Sequence, residues 1–304
     1  MKYILTISTL CLAACLTTNA QQDPLYAQYL NNPFVINPAY AGFTNNLSTA
    51  VSYRQQWAGL EGGPKTVNFN SHIALSENRM GAGILVVSDR IGNSLVNEGL
   101  AAYAYKIALS EKQTLSFGLQ AGFANYQIDN NKVNPFDKSD PLFIGSVSET
   151  VPSFGAGLIL STDRYFLGVS MPRMLKTTLQ EQGLQSTLYS QHFYGVASYL
   201  FIVSEHIRFK PSTLIKLVSG APASFDLNAS FIFHENYQAG LLTRDFSTYG
   251  FFGQIQVRDA FRLGFVFEVP TGASVGSDFV TYELTLGLRF NALPGHSNTS
   301  VLSF

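Results

Sequence analysis

The chain has 304 residues, of which 46% are hydrophobic and only 13% charged, with a formal net charge of −1. The charged share is about half the ~25% usual in soluble domains. The balance lacks the basic excess of a nucleic-acid-binding protein, and 24 Phe with 15 Tyr argue against disorder. Length divided by ~150 suggests two domains, but closed β-architectures of this size often form one.

In chain order, the first segment is an address. Lys2 supplies a positive start, Ile4 to Leu16 is a short apolar stretch, and Thr18-Asn19-Ala20 ends in a small residue. This is the layout of a secretory signal peptide, too short to span a membrane, and cleavage is expected after Ala20. The rival reading is Leu12-Ala13-Ala14-Cys15 as a lipoprotein cleavage box with Cys15 acylated. With a cut after Ala20, Cys11 and Cys15 both leave, so disulfide, thiolate and Cys-metal chemistry are not expected in the mature chain.

Residues 21–45 read QQDPLYAQYLNNPFVINPAYAGFTN and do not alternate. Three prolines remove N–H donors that a central strand requires. Two readings stand here: an extended periplasmic arm, or a plug lying in the lumen of a barrel.

From residue 46 to 290 the pattern changes to period two, the signature of strands with one apolar and one polar face. Leu47, Thr49, Val51 and Tyr53 alternate with Ser48, Ser52 and Arg54. Phe225, Leu227, Ala229, Phe231 and Phe233 oppose Asp226, Asn228 and Ser230. Phe261, Leu263, Phe265 and Phe267 oppose Arg262 and Glu268, and Tyr282, Leu284, Leu286, Leu288 and Phe290 oppose Glu283 and Arg289. About fourteen such segments can be counted between residues 47 and 290, and an even count is expected of outer-membrane barrels. The polar face carries Ser, Asn, Gln and Gly with few charges, which suits an enclosed lumen better than the outer face of a soluble sandwich. Arg54, Lys106, Arg208, Lys210, Asp226, Arg244, Arg262, Glu268, Glu283 and Arg289 share the polar parity and are expected to line that lumen. Opposite signs lie near one another along β-segments (Arg262 with Glu268, Glu283 with Arg289), so mutual neutralisation is expected, because an enclosed unpaired charge is costly.

The connections alternate as well. Tight polar turns such as Ser76 to Arg79 and Ser110 to Lys112 alternate with longer links such as 128–150 and 172–191. Short periplasmic turns and long external loops are the habit of outer-membrane barrels. The fold class read from these features is all-β: a transmembrane antiparallel outer-membrane β-barrel of about fourteen strands with an N-terminal plug or arm. The domain organisation is 1–20 signal, 21–45 plug or arm, 46–290 barrel and 291–304 tail.

No enzyme is expected. Gly272 to Gly276 matches G-x-S-x-G, but that motif needs a strand-to-helix elbow, and here it sits in a loop. The five histidines lack metal-ligand spacing, and His72 reads as a hydrogen-bonded lumen residue. Asp129, Asn130, Asn131, Asp137 and Asp140 form a solvated loop without EF-hand spacing. Neither cofactor nor metal is anticipated.

Asp23-Pro24, Gln28-Tyr29 and Asn37-Pro38-Ala39-Tyr40-Ala41-Gly42, directly after the leader, resemble the opening of the PorP/SprF family. Tyr53 to Trp57 with Gly62 to Thr66, Tyr165 to Pro172, and Arg208 to Ser212 extend the resemblance along the mature chain. It implies an outer-membrane barrel of the type IX secretion system that supports export or surface anchoring of a large adhesin. The implied partners are the adhesin's C-terminal sorting domain, other type IX components and outer-membrane lipid, with no nucleic acid. Asn37-Pro38-Ala39 is also similar to the N-terminal hatch of long-chain fatty-acid transporter barrels, which makes a channel for small or apolar solutes the alternative. In the platform reading, apolar residues on the long loops mark protein contact: Pro135, Phe136, Leu142, Phe143, Met174 and Leu175.

Overall fold

The computed structural model describes residues 27–30, 32–130, 145–181, 184–219, 221–258, 260–272, 278–294 and 296. The leader at 1–20, Asp23, Pro24, Asn131, Asp137, Asp140, Pro135, Phe136, Leu142, Phe143, the G-x-S-x-G motif from residue 273 onward and most of the tail lie outside the described residues.

The barrel strands are β1 (Leu47–Gln55), β2 (Lys65–Leu75), β3 (Met80–Ile91), β4 (Ser94–Ser110), β5 (Gln113–Asp129), β6 (Ser146–Thr162) and β7 (Tyr165–Met171). The second half follows with β8 (His192–Tyr199, continued by Phe201–Ile202), β9 (Ile207–Val218), β10 (Ser224–Phe233), β11 (Tyr237–Arg244), β12 (Thr248–Val257), β13 (Phe261–Pro270) and β14 (Thr281–Phe290). Each pairs antiparallel with its neighbours in sequence, and β1 pairs with β14 from Leu47 opposite Phe290 to Gln55 opposite Tyr282. The result is a closed 14-strand antiparallel barrel. Closure gives every ladder N–H and C=O a partner, which hydrocarbon could not supply.

The pleat sorts the side chains. Val51 and Tyr53 face out while Ser52 and Arg54 are buried; Phe261, Leu263 and Phe265 face out while Arg262 and Glu268 are buried. One stretch departs from alternation for a physical reason. In Ile84 to Val87, Ile84 and Val86 face out, while Leu85 and Val87 belong to an apolar cluster on the inner wall with Phe34 and Val35. Both faces of β3 are apolar there because both meet apolar groups.

Two of the external links have features of their own. The strands β3 and β4 run on until only Gly92 and Asn93 separate them, so this external link is a tight turn. The 172–191 link is not structureless: Thr177–Glu181 and Leu184–Tyr189 form a two-stranded hairpin apart from the barrel. The strands β4, β5 and β6 each have 17 residues, against the ~10 that cross a bilayer. They extend toward the long-loop end and form a one-sided wall above the rim.

Candidate functional site inside the barrel

Residues 27–44 line the inner face of the wall. They form three short 3-10 turns, Gln28–Leu30, Pro33–Val35 and Pro38–Tyr40. Proline opens the second and third, where its missing N–H costs nothing and its fixed φ suits a helical turn. Asn37 caps the third: its Oδ1 accepts the Ala39 N–H at 3.0 Å. Its Nδ2 donates to the carbonyls of Leu158 and Val169, both at 3.2 Å. Those two residues sit opposite each other on β6 and β7, so one side chain ties the turn to both strands.

The rest of the segment is held in the same way. Ser116 and Ser170 donate from their hydroxyls to Ala39 O and Ile36 O, each at 2.7 Å. Asn32 Nδ2 donates to Asn70 Oδ1 at 2.7 Å, and Gly42, at φ +63°, donates its N–H to His72 Nδ1 at 3.2 Å. Phe34, Val35, Ile36, Ala39, Tyr40 and Ala41 are buried with Leu100, Ile159 and Phe166 in one apolar cluster. Tyr40 stacks on Phe43 at 4.9 Å between ring centroids and meets His72 edge-on at 5.6 Å. The wall is thinned to receive the turns. A Cβ on Gly118 would stand 2.1 Å from Ala39 N, and one on Gly157 would stand 2.0 Å from Asn37 Oδ1.

Of the N-terminal motif, Tyr29, Asn37, Pro38, Ala39, Tyr40 and Gly42 all fall within this seat, and Gln28 contributes backbone to its first turn. The wall residues that receive them, Asn70, Ser116, Ser170, Gly118 and Gly157, were not singled out in the sequence. Their only signal there is a small or amide side chain at the polar parity of a strand.

The charges fall into two groups. Toward the long-loop end, Arg54 bridges Glu268 at 2.5 Å and Glu283 at 3.1 Å. Arg244 holds Asp226 through two bonds of 2.9 Å and reaches Glu268 at 3.5 Å. The N-terminal segment joins this network: Ala27 N–H donates to Glu283 at 3.1 Å, and the Tyr29 hydroxyl donates to Asp226 at 3.1 Å while accepting from Asn228 at 3.0 Å. Burial pushes the Tyr29 hydroxyl pKa up, with the Asp226 charge acting in the same direction, and burial also raises that of Tyr40.

Toward the short-turn end lie Lys106, Arg262 and Arg289, all buried. Lys106 donates to Gly42 O and Asn78 Oδ1. Arg208 and Lys210 are half-buried; Arg208 pairs with Glu235 in a turn at the rim, so it is less enclosed than the others. The neutralisation expected along single strands, Arg262 with Glu268 and Glu283 with Arg289, is not what forms. Six residues of strand separate each pair by about 20 Å. The acids are neutralised instead by Arg54 and Arg244, which lie beside them across the sheet.

At the long-loop end, Glu98 accepts from Ser153 Oγ at 2.9 Å and pairs with Arg173 at 3.0 Å. Arg173 lies over the Tyr189 ring, 4.6 Å from its centroid, and Tyr189 packs with Ala124 and Tyr126. The 172–191 link is thus fastened to the projecting wall, and its Met174 and Leu175 remain exposed.

Comparison with known proteins adds the family. No curated protein matches the chain. Among solved structures, a Pseudomonas aeruginosa FadL homologue is similar, with TM-score 0.52 and 10% identity, covering 88% of this chain and 95% of that one. The Acinetobacter baumannii outer membrane protein Omp33 has TM-score 0.47 and 9% identity, covering 81% of this chain and 100% of that one. At such identity the first likeness is one of barrel fold alone. The family model described as type IX secretion system membrane protein PorP/SprF matches residues 18–288. With that match spanning the N-terminal segment and all but the last two residues of the final strand, the chain belongs to the PorP/SprF family of type IX secretion system membrane proteins and resides in the bacterial outer membrane.

Proposed function

We propose that this barrel is a non-enzymatic platform that supports export or surface anchoring of a large secreted adhesin by binding its C-terminal signal domain. The family implies other secretion components and secreted cargo in general as partners; the adhesin and its signal domain are our specific reading. The observation that carries it is the one-sided wall of β4, β5 and β6, each 17 residues long. The long link at 128–150 joins two of its strands, β5 and β6, and the link at 172–191, between β7 and β8, is fastened to it through Arg173 and Glu98, with Met174 and Leu175 exposed. Exposed apolar side chains on loops anchored to a rigid scaffold favour protein contact.

In this reading residues 27–44 are a plug. Their side chains and backbone reach strands from β2 round to β14, and one cavity, between Tyr29, Leu30, Pro33 and the wall at Phe166 and Lys210, is about 20 Å³, room for about one water. A barrel so filled serves better as a rigid mount than as an open pore.

Deleting residues 131–143 tests the platform. The expected result is a barrel that still folds and inserts while surface display of the adhesin is lost. Unchanged display would remove the loop from the account. The second reading, a hatch-gated channel for small or apolar solutes, draws on the barrel fold shared with the FadL homologue. Planar-bilayer conductance separates the two: solute-selective current through the full chain favours the channel, and adhesin-domain capture without current favours the platform.

A further inference from the structure

On the outer face of the barrel, at the long-loop rim, two cations stand side by side. Lys65 opens β2 and lies directly opposite Arg90 on β3. Both are exposed and share the outward parity of Val67 and Val86. Like charges facing one another across a strand pair repel, and among the described residues neither takes part in an ion pair. The carboxylate next in sequence, Asp89, is turned to the lumen, where it accepts from Thr66 at 2.5 Å.

The register extends the row. Tyr282 on β14 stands opposite Gln55, Gln55 opposite Lys65, Lys65 opposite Arg90, and Arg90 opposite Leu95 on β4. Above the row the link between β1 and β2 bends back, Gln56 N–H donating to Pro64 O at 2.9 Å. It is tied to the next turn by the Gly92 N–H, which donates to Gly62 O at 2.9 Å. Row and link bound a cleft of about 760 Å³, with Leu60 and Glu61 on the link side. That lies within the ~300–1,000 Å³ of small-molecule sites. Lys65 and Arg90 line it against the single carboxylate of Glu61. The depth is set by β2, whose 11 residues match the ~9–11 of a tilted strand that crosses a bilayer. Lys65, its first residue, therefore lies at the outer interface, with Val67 and Phe69 below it toward the hydrocarbon.

We propose that this cleft binds a lipid of the outer leaflet whose headgroup is a phosphorylated sugar. The Arg90 guanidinium offers parallel N–H groups to two phosphate oxygens, and Lys65 adds a point charge. The bound phosphate relieves the repulsion between them. A bare phosphate would leave most of the cleft empty, whereas a sugar fills it and gives Glu61 hydroxyl groups from which to accept. The Tyr282 ring stands at headgroup level, where an amphipathic aromatic is favoured, and the acyl chains run down over Val67 and Phe69.

Native mass spectrometry of the folded full chain in detergent, titrated with bisphosphorylated lipid A, tests the site by counting retained lipid. Saturable retention of one lipid per barrel is expected. Dephosphorylated lipid A and the acyl-free bisphosphorylated disaccharide should each bind at least about tenfold more weakly, the one lacking charge-assisted hydrogen bonds and the other the buried chains. Lys65→Gln and Arg90→Gln should each weaken retention about tenfold, and Leu60→Ser, which leaves the charge unchanged, should weaken it as well. Lys112→Gln, in an exposed turn at the opposite end, should leave it as in the parent. Heat-modifiable migration on a gel checks that each variant is folded. Should Arg90→Gln fail to fold, Arg90→Lys keeps the charge but loses the fork, and weaker retention by that folded barrel is then expected. No saturable retention by the parent chain, equal retention of the dephosphorylated lipid, or unchanged affinity in any folded cleft variant would overturn the proposal. Equal binding of the acyl-free disaccharide would make the ligand a soluble phosphosugar and overturn it too.

Discussion

Arg54 on β1 and Glu268 on β13 meet at 2.5 Å across the intervening strand β14, from which Glu283 joins the same guanidinium at 3.1 Å. Removing one partner of a buried ion pair strands the other, which costs about 3–5 kcal/mol, more than the pair itself contributes. Arg54→Met should therefore lower the unfolding midpoint of the detergent-solubilised barrel markedly. After that change Glu268 keeps Arg244, whereas among the described residues Glu283 keeps only the Ala27 N–H. Adding Glu283→Gln to Arg54→Met should restore part of the loss, as read by thermal unfolding followed by circular dichroism. A double variant no more stable than Arg54→Met alone would count against the stranded-charge account.

Gly118 lies on β5 directly beneath the third turn of the N-terminal segment, where a Cβ would sit 2.1 Å from Ala39 N and 2.3 Å from the Pro38 carbonyl carbon. Overpacking of this kind costs about 1–3 kcal/mol. The segment can move at less cost than the closed sheet, whose ladder bonds surround Gly118. Gly118→Val should leave a folded barrel with residues 27–42 open to added protease and with a new ionic conductance in planar bilayers. Protection and conductance equal to the parent chain would show that Gly118 does not set the segment's position.

Leu119 faces outward on β5 at 65% exposure, while its neighbour Gln120 faces inward at 5%. It sits about midway along the ~10 residues nearest the short-turn end that suffice to cross the bilayer. Leu119→Arg should cost about 2–4 kcal/mol of stability in lipid vesicles, as expected for Arg at the midplane. Denaturant unfolding from vesicles measures it. A cost below about 1 kcal/mol would place Leu119 near an interface instead.

How much of this was legible in the sequence differs from residue to residue. The outward Phe261, Leu263 and Phe265 and the inward Arg262 and Glu268 were readable because adjacent residues on a strand always point to opposite faces. The places of the strands followed from the same rule. The hairpin at 177–189 was not legible, because a few polar residues paired outside the barrel leave no apolar face to repeat. The seat of the N-terminal segment was only half legible. Asn37 and Pro38 marked a turn, but Ser116, Gly118 and Gly157 carry no pattern of their own, and what makes them a seat is their approach to residues some 80 to 120 positions away.

By itself the amino-acid order determined a closed antiparallel wall, greasy outside and polar inside. The reason is local: a period of two separates the faces, and an apolar face this large, without charge to keep it in water, has to meet lipid. Only the tertiary structure decided which charges meet. Arg54 finds Glu268 and Glu283, and Arg289 stands apart from both, because partners inside a barrel are set by stagger between strands and by the path of the enclosed segment. Neither quantity is a property of any one strand.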